Sequence, residues 1–263
     1  EMSVMRSSLI QGGLATVKNN LNAGEKDMRL FEYGDIFIKK GEAINSFEDF
    51  EEVTVVTMLI TGKAATKTWN EEERDYDFYD LKGYLKSLLE SYLVTANLGH
   101  VYKTESDPVF EYSIEVFSGE NKIGVIGKIN DSFSSLFGIE QAVFCAELFV
   151  NCIERKKDKL KKYNPLLKYP KIVRDFAFIF DSEVRFDVIS DFIRKNSSPL
   201  LKKISLFDLY ENEKAIGAGK RSLAFTLEFY DLNRTLTEDE VEKEFSAIIQ
   251  KITKKFDAVL RGN

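Results

Sequence analysis

Ser222-Leu223-Ala224-Phe225-Thr226-Leu227-Glu228-Phe229-Tyr230 alternates large apolar residues with small or polar ones without a break. A period of two sends successive side chains to opposite faces, so the stretch predicts a strand with one face in a core. Leu223, Phe225, Leu227 and Phe229 form the core side; Ser222, Ala224, Thr226, Glu228 and Tyr230 form the other. Working outward, residues 172–181 alternate in the same way, with Phe176, Phe178 and Phe180 opposite Asp175, Ala177 and Ile179. A third strand spans 201–210, with Phe207 and Leu209 assigned to the apolar side and Leu206, Asp208 and Tyr210 to the other. Between the first two in chain order, Phe186–Lys195 reads as a helix with Val188, Phe192 and Ile193 inward. Thr237-Glu238-Asp239-Glu240 is a capping box that opens a second helix reaching about Lys255, and Ala258–Arg261 closes the segment as a short strand. The order β-α-β-β-α-β is the ferredoxin-like split unit, in which two helices cover one sheet face and leave the other open.

That open face is expected to present a small residue (Ala177), a carboxylate (Asp208), an aromatic ring (Tyr210) and a hydroxyl (Ser222). The set suits a splayed-out nucleobase. A ring offers stacking worth about 1–3 kcal/mol, a carboxylate accepts from a guanine's N1–H and amine, and alanine leaves room. The same pattern also fits a polar sheet surface with one incidental tyrosine.

Upstream, Ser7–Asn20 reads as a helix with Leu9, Leu14 and Val17 at helical spacing, although Gly12-Gly13 weaken it. Residues 30–38, 53–60, 112–117 and 123–129 read as strands, the second dense enough to be buried on both faces. The last two are joined by a turn at Ser118-Gly119-Glu120-Asn121, and a helix from about Tyr79 to Leu93 follows the acidic, solvated stretch 71–75. This mixture predicts an α+β fold with a mainly antiparallel sheet. A boundary is expected near Tyr163-Asn164-Pro165, after the basic run 155–162, where prolines discourage a continuous helix. The expected domains are therefore 1–164 and 165–263.

The chain of 263 residues has a net charge of −6, two cysteines and one histidine. No apolar run approaches the roughly 18 residues of a membrane span, and the N-terminus lacks a signal-peptide layout, so a cytoplasmic protein without membrane contact is expected. Cys145, Cys152 and His100 are too few for a four-ligand zinc site and are expected to be structural, the two thiols buried. The acidity is uneven. Residues 165–263 hold 17 Lys+Arg against 16 Asp+Glu, while 1–164 carry −7. Net charge therefore does not exclude a local RNA site in the second segment. Gly217-Ala218-Gly219-Lys220 and Gly124-Val125-Ile126-Gly127-Lys128 lack the phosphate-loop spacing, and no paired carboxylates or nucleophile–base sets suggest catalysis.

Several motifs carry a resemblance. Met5-Arg6-Ser7-Ser8-Leu9-Ile10, Asn19-Asn20-Leu21-Asn22, Leu30-Phe31-Glu32-Tyr33-Gly34-Asp35-Ile36-Phe37 and Asp77-Phe78-Tyr79-Asp80-Leu81-Lys82-Gly83 are similar to the catalytic-like domain of bacterial phenylalanyl-tRNA synthetase beta subunits. Tyr169-Pro170, Arg174-Asp175-Phe176-Ala177-Phe178, Leu206-Phe207-Asp208-Leu209-Tyr210, Lys220-Arg221-Ser222-Leu223-Ala224-Phe225, Arg234-Thr235-Leu236-Thr237 and Leu260-Arg261-Gly262 resemble, in order, the family's ferredoxin-fold anticodon-binding domain. One departure is Asp107-Pro108-Val109-Phe110, which lacks a His-Pro-Gly-like turn.

The resemblance implies a C-terminal fragment of a longer subunit, with a degenerate class II synthetase-like antiparallel-sheet domain before the ferredoxin-like one. It implies a phenylalanine–tRNA ligase built as an (αβ)2 heterotetramer, in which ATP and Mg2+ act on the alpha subunit and this segment holds no cofactor, metal or catalytic residue. In agreement, 124–130 holds none of the arginines that a class II phosphate site requires. It further implies that Tyr210 stacks on the wobble guanine of the phenylalanine tRNA, that Asp208 accepts from its edge, and that Ser222 and Ala177 touch sugar or base. Two rivals are an assembly module without tRNA binding of its own and a free-standing adenylate-forming enzyme.

Overall fold

A computed structural model describes residues 4–41, 46–91, 97–102, 107–153 and 166–261, and for 97–102 the backbone alone. The basic run 155–162, the proposed boundary at 163–165, the expected helix end at Leu93, and the His100 side chain lie outside the described residues. The chain divides into two compact units, Glu1–Lys161 and Lys162–Asn263.

In the first unit the elements run α1 (Ile10–Asn22), β1 (Met28–Lys39), β2 (Phe50–Thr61), β3 (Lys63–Ala65), β4 (Arg74–Asp75), α2 (Phe78–Ser91), β5 (Asn97–Tyr102), β6 (Phe110–Ser118), β7 (Asn121–Ile129), α3 (Asp131–Ser135) and β8 (Val143–Phe149). Six of the strands form one antiparallel sheet in the order β1-β2-β8-β7-β6-β5. Helix α1 puts Ile10, Leu14 and Val17 into a core with Leu59, Ile129, Val143 and Cys145. Helix α2 puts Leu81, Leu85 and Leu89 into another with Ile60, Ile126, Phe144 and Leu148. The sheet is therefore covered on both faces. That explains β8, where six consecutive residues from Val143 to Leu148 are buried. A strand covered on both sides loses its alternation, and Cys145-Ala146-Glu147 further dilutes the β signal, so the sequence pattern missed it.

Glu147 is 6% exposed, and its Oε1 accepts from Ser8 Oγ (2.9 Å), the Leu9 N–H (3.1 Å) and Thr57 Oγ1 (3.1 Å). The N-cap residue Leu9 has no capping side chain, so this carboxylate from β8 sits at the positive end of α1 in its place. It also accounts for the helix starting at Ile10 rather than Ser7. Gly13 lets α1 approach the sheet, since a Cβ there would meet Leu59 Cδ1 at 2.6 Å. Of the two thiols expected to be buried, Cys145 is and Cys152 is not. Cys152 follows the end of β8 in a short helical turn, where the sheet no longer covers it.

The second unit runs β9 (Ile172–Asp181), α4 (Phe186–Asn196), β10 (Leu201–Tyr210), α5 (Glu213–Ile216), β11 (Lys220–Phe229), α6 (Glu238–Phe256) and β12 (Val259–Leu260). The sheet order is β10-β11-β9-β12, antiparallel throughout, and α4 and α6 join the core on one face. Phe176, Phe178, Phe180, Leu223, Phe225, Leu227 and Phe229 fill that core as the alternation required, with the Phe176 and Phe225 rings stacked at 5.1 Å. Thr237 caps α6 by accepting from the Glu240 N–H while Glu240 accepts from the Thr237 N–H, the box read from the sequence.

Three assignments change. Val188 is 49% exposed, and Ile189 is buried in its stead, because Ile189 lies one helical turn before the inward Ile193. Phe207 is 58% exposed rather than under the helices; Leu209, 48% exposed, keeps its assigned side, pairing with Leu223 at the edge of the sheet. Leu206, assigned to the open face, packs against the core. The cause is a β-bulge: Leu206 pairs with Phe225 and Asp208 with Ala224, so Phe207 is the extra residue of β10. Among the described residues, no helix is long and apolar enough to cross a membrane.

Candidate nucleic-acid interface

The central strand β11 organises the site. Ser222 lies between Tyr210 and Ile179, and Ala224 lies between Asp208 and Ala177. The four residues singled out from the sequence thus occupy two neighbouring rows on the face away from the helices. With strands about 4.8 Å apart and rows about 7 Å apart, they cover a patch of roughly 10 by 7 Å. The bulge at Phe207 is needed for this arrangement. Leu206 faces the core, so unbroken alternation would have turned Asp208 inward and Phe207 to the platform. Asp208 and Tyr210 reach the open side because one extra residue resets the phase.

The four differ in access. Asp208 is exposed, Ala177 and Tyr210 are half-buried, and Ser222 is only 2% exposed. What lies over them is Arg261, directly after β12. Strand β12 pairs Val259 with Ile179 and Leu260 with Phe178, which places the next residue against Ala177. The Arg261 N–H donates to the Ala177 carbonyl at 2.8 Å. Its guanidinium carbon stands 4.8 Å from the Tyr210 ring centre, and Nη1 makes a long 3.5 Å contact with Ser222 Oγ. Arg261 therefore touches three of the four residues. In the sequence Arg261 stands as the end of a short strand and within the motif Leu260-Arg261-Gly262, with no role at the site; the register of that strand against β9 is what places it there.

Chemically the patch offers one ring, one carboxylate, one hydroxyl and one cation around a small-residue floor. Such a set has the chemistry to recognise a flat heterocycle. A flat heterocycle can stack on the ring, its donor edge can meet Asp208, and Arg261 supplies a positive charge with a fork of donors. Among the described residues, no group of three or more His, Cys, Asp or Glu could hold a metal ion. The Gly124–Lys128 stretch is no phosphate cradle either. A Cβ on Gly124 would meet the Glu147 carbonyl at 2.4 Å, and one on Gly127 the Tyr112 carbonyl at 2.3 Å, so these glycines serve close strand packing.

Known proteins with similar sequences cover the chain from end to end. The family model for the phenylalanyl tRNA synthetase beta chain CLM domain matches residues 1–150, and that for the ferredoxin-fold anticodon binding domain matches residues 168–261. The phenylalanine–tRNA ligase beta subunit of Fusobacterium nucleatum is 32% identical over 268 residues, covering 99% of this chain and 32% of that protein. The beta subunit of Coxiella burnetii is 33% identical over 265 residues, covering 100% and 32%. The chain thus spans about a third of the length of these relatives. Among solved structures, a pyrrolysyl tRNA synthetase from Desulfitobacterium hafniense is similar at 14% identity and a TM-score of 0.41, over 55% of this chain and 47% of that one.

Proposed function

The chain belongs to the phenylalanyl-tRNA synthetase beta-chain family, and from that premise we propose that it is a noncatalytic part of a phenylalanine–tRNA ligase whose second unit grips the anticodon of the phenylalanine tRNA. The observation that carries the reading is the placement of Ala177, Asp208, Tyr210 and Ser222 in two adjacent rows of one open sheet face. In this reading Tyr210 stacks on the wobble guanine, Asp208 accepts from its N1–H and exocyclic amine, and Ala177 and Ser222 form the floor against base and sugar. Single-stranded RNA is recognised in this way, by stacking and edge hydrogen bonds on a sheet.

The first unit, in the same reading, serves assembly with an alpha subunit in an (αβ)2 enzyme. Phe31 and Tyr33 support it: they are 79% and 66% exposed on the edge strand β1, beside Met58 and Val56. ATP and Mg2+ would act on the alpha subunit. The described residues of the first unit's sheet do not suit them: β7 carries no arginine, its glycines are closed by neighbouring backbone, and both sheet faces are covered.

The test is a titration with a fluorescent anticodon stem-loop, carrying guanine or adenine at the wobble position. Preferential binding of the guanine form, weakening with salt as phosphate contacts release counterions, is expected. Equal binding of the two loops, or none of either, would overturn the anticodon reading. Co-purification with an alpha subunit despite such a failure would leave the assembly role standing alone.

A further inference from the structure

Resting on that reading, we infer that the far end of the same sheet face is a second subsite, which takes the sugar–phosphate backbone of the RNA strand whose base lies at Tyr210. Six residues along β11 from Ser222 stands Glu228, on the open side and paired with Lys203 on one flank and Val173 on the other. Its carboxylate meets Lys171 Nζ at 3.0 Å and Lys203 Nζ at 3.4 Å. Lys202, next to Lys203 at the register break of β10, holds its ammonium 5.7 Å from the centre of the Tyr230 ring. Asp175, one row nearer the base site, accepts from Thr226 Oγ1 at 2.6 Å.

Depth decides what a ligand meets. The Glu228 side chain is 16% exposed, whereas those of Lys171 and Lys203 are 49% and 62% exposed. The Glu228 carboxylate lies beneath its two ammonium partners, so the outer layer of this row is cationic, with the exposed Asp175 one row away. One carboxylate cannot neutralise three lysines, and exposed ion pairs of this kind contribute little to folding. A phosphodiester can exchange for Glu228 on either lysine without disturbing the core. The distance also suits a continuous strand: the six residues from Ser222, in the Tyr210 row, to Glu228 span about 20 Å, roughly six nucleotides of a stacked strand at about 3.4 Å each. The platform would then read a base at one end and fix the strand's course at the other, the usual division between base and phosphate contacts.

The experiment titrates the full chain with the fluorescent anticodon stem-loop at several salt concentrations. In the triple variant Lys171→Gln, Lys202→Gln, Lys203→Gln, the slope of log affinity against log salt should fall by about 2, near 0.7 per lost contact. The preference for guanine at the wobble position should match the parent. Glu228→Gln, which frees the lysines, should bind more tightly and with a steeper slope. A parental slope in the triple variant overturns the subsite and leaves lysines that merely guard the β10 edge; the anticodon reading survives if the guanine preference persists. A parent chain that binds neither loop overturns both.

Discussion

Replacing Tyr210 with alanine removes the aromatic ring of the row next to the Asp208–Ala177 row. In the free protein the ring carries the Arg261 guanidinium at 4.8 Å, a contact worth about 0.5–1 kcal/mol at an exposed site. Tyr210 is an edge-strand residue outside the core cluster. The fold should therefore lose no more than about 1 kcal/mol, within the usual range for such substitutions. If the ring stacks on the wobble guanine, binding should lose about 1–3 kcal/mol, a fall of roughly 5- to 150-fold. Tyr210→Phe keeps the ring and should stay within about fivefold of the parent, since a net hydrogen bond from the hydroxyl is worth about 1 kcal/mol at most here. The assay is fluorescence anisotropy with the guanine-bearing stem-loop at fixed salt, beside a thermal melt of each variant. Arg261→Ala and the double variant complete a cycle that separates loss of the ring from loss of its cation. Two results would refute the reasoning: Tyr210→Ala binding like the parent, or Tyr210→Phe losing as much as Tyr210→Ala.

Three further outcomes follow from the structure. The Arg234 fork, with help from the Thr237 N–H, holds the Glu240 carboxyl down at about 2 from an ordinary value of 4.5. A depressed carboxylate stabilises the fold fully above its ordinary value and loses that contribution as pH falls towards 2. The parent's melting temperature should drop between pH 4.5 and 2 more steeply than that of Glu240→Gln, and parallel curves would refute the linkage. Gly127→Ala should destabilise by about 1–3 kcal/mol, because its Cβ would strike the Tyr112 carbonyl, Phe110 and Ser113. Gly83→Ala, with open space in α2, should instead stabilise by about 0.5–1 kcal/mol, and denaturant melts with matching signs for both would sink this account. Finally, a thiol reagent should label Cys152 in the native protein and Cys145 only after unfolding. Burial pushes the Cys145 thiol well above its usual range, and a count of two reactive thiols in the folded chain would contradict the placement.

How far the sequence is legible differs between the two units. In the second, β9 and β10 match the segments that alternation marks, and α6 opens at the capping box. Alternation and capping are local properties, expressed in the residues that form the element. In the first unit β8 escaped notice because burial on both faces erases the pattern that alternation relies on. Val188 was misassigned although the helix starts where expected: Ile189, four residues before Ile193, takes the inward position.

The candidate site shows the same division more finely. The sequence by itself determined that a phenylalanine-rich face and a face bearing Ala177, Asp208, Tyr210 and Ser222 belong to one antiparallel sheet, since side-chain alternation is a property of the extended chain. Only the tertiary structure decided how that face is presented. The bulge at Phe207 depends on how β10 pairs with β11, the burial of Ser222 depends on Arg261 arriving beside β9, and the lysines gather on Glu228 through cross-strand register. Each is a contact between residues distant in sequence, and no local pattern encodes the register that brings them together.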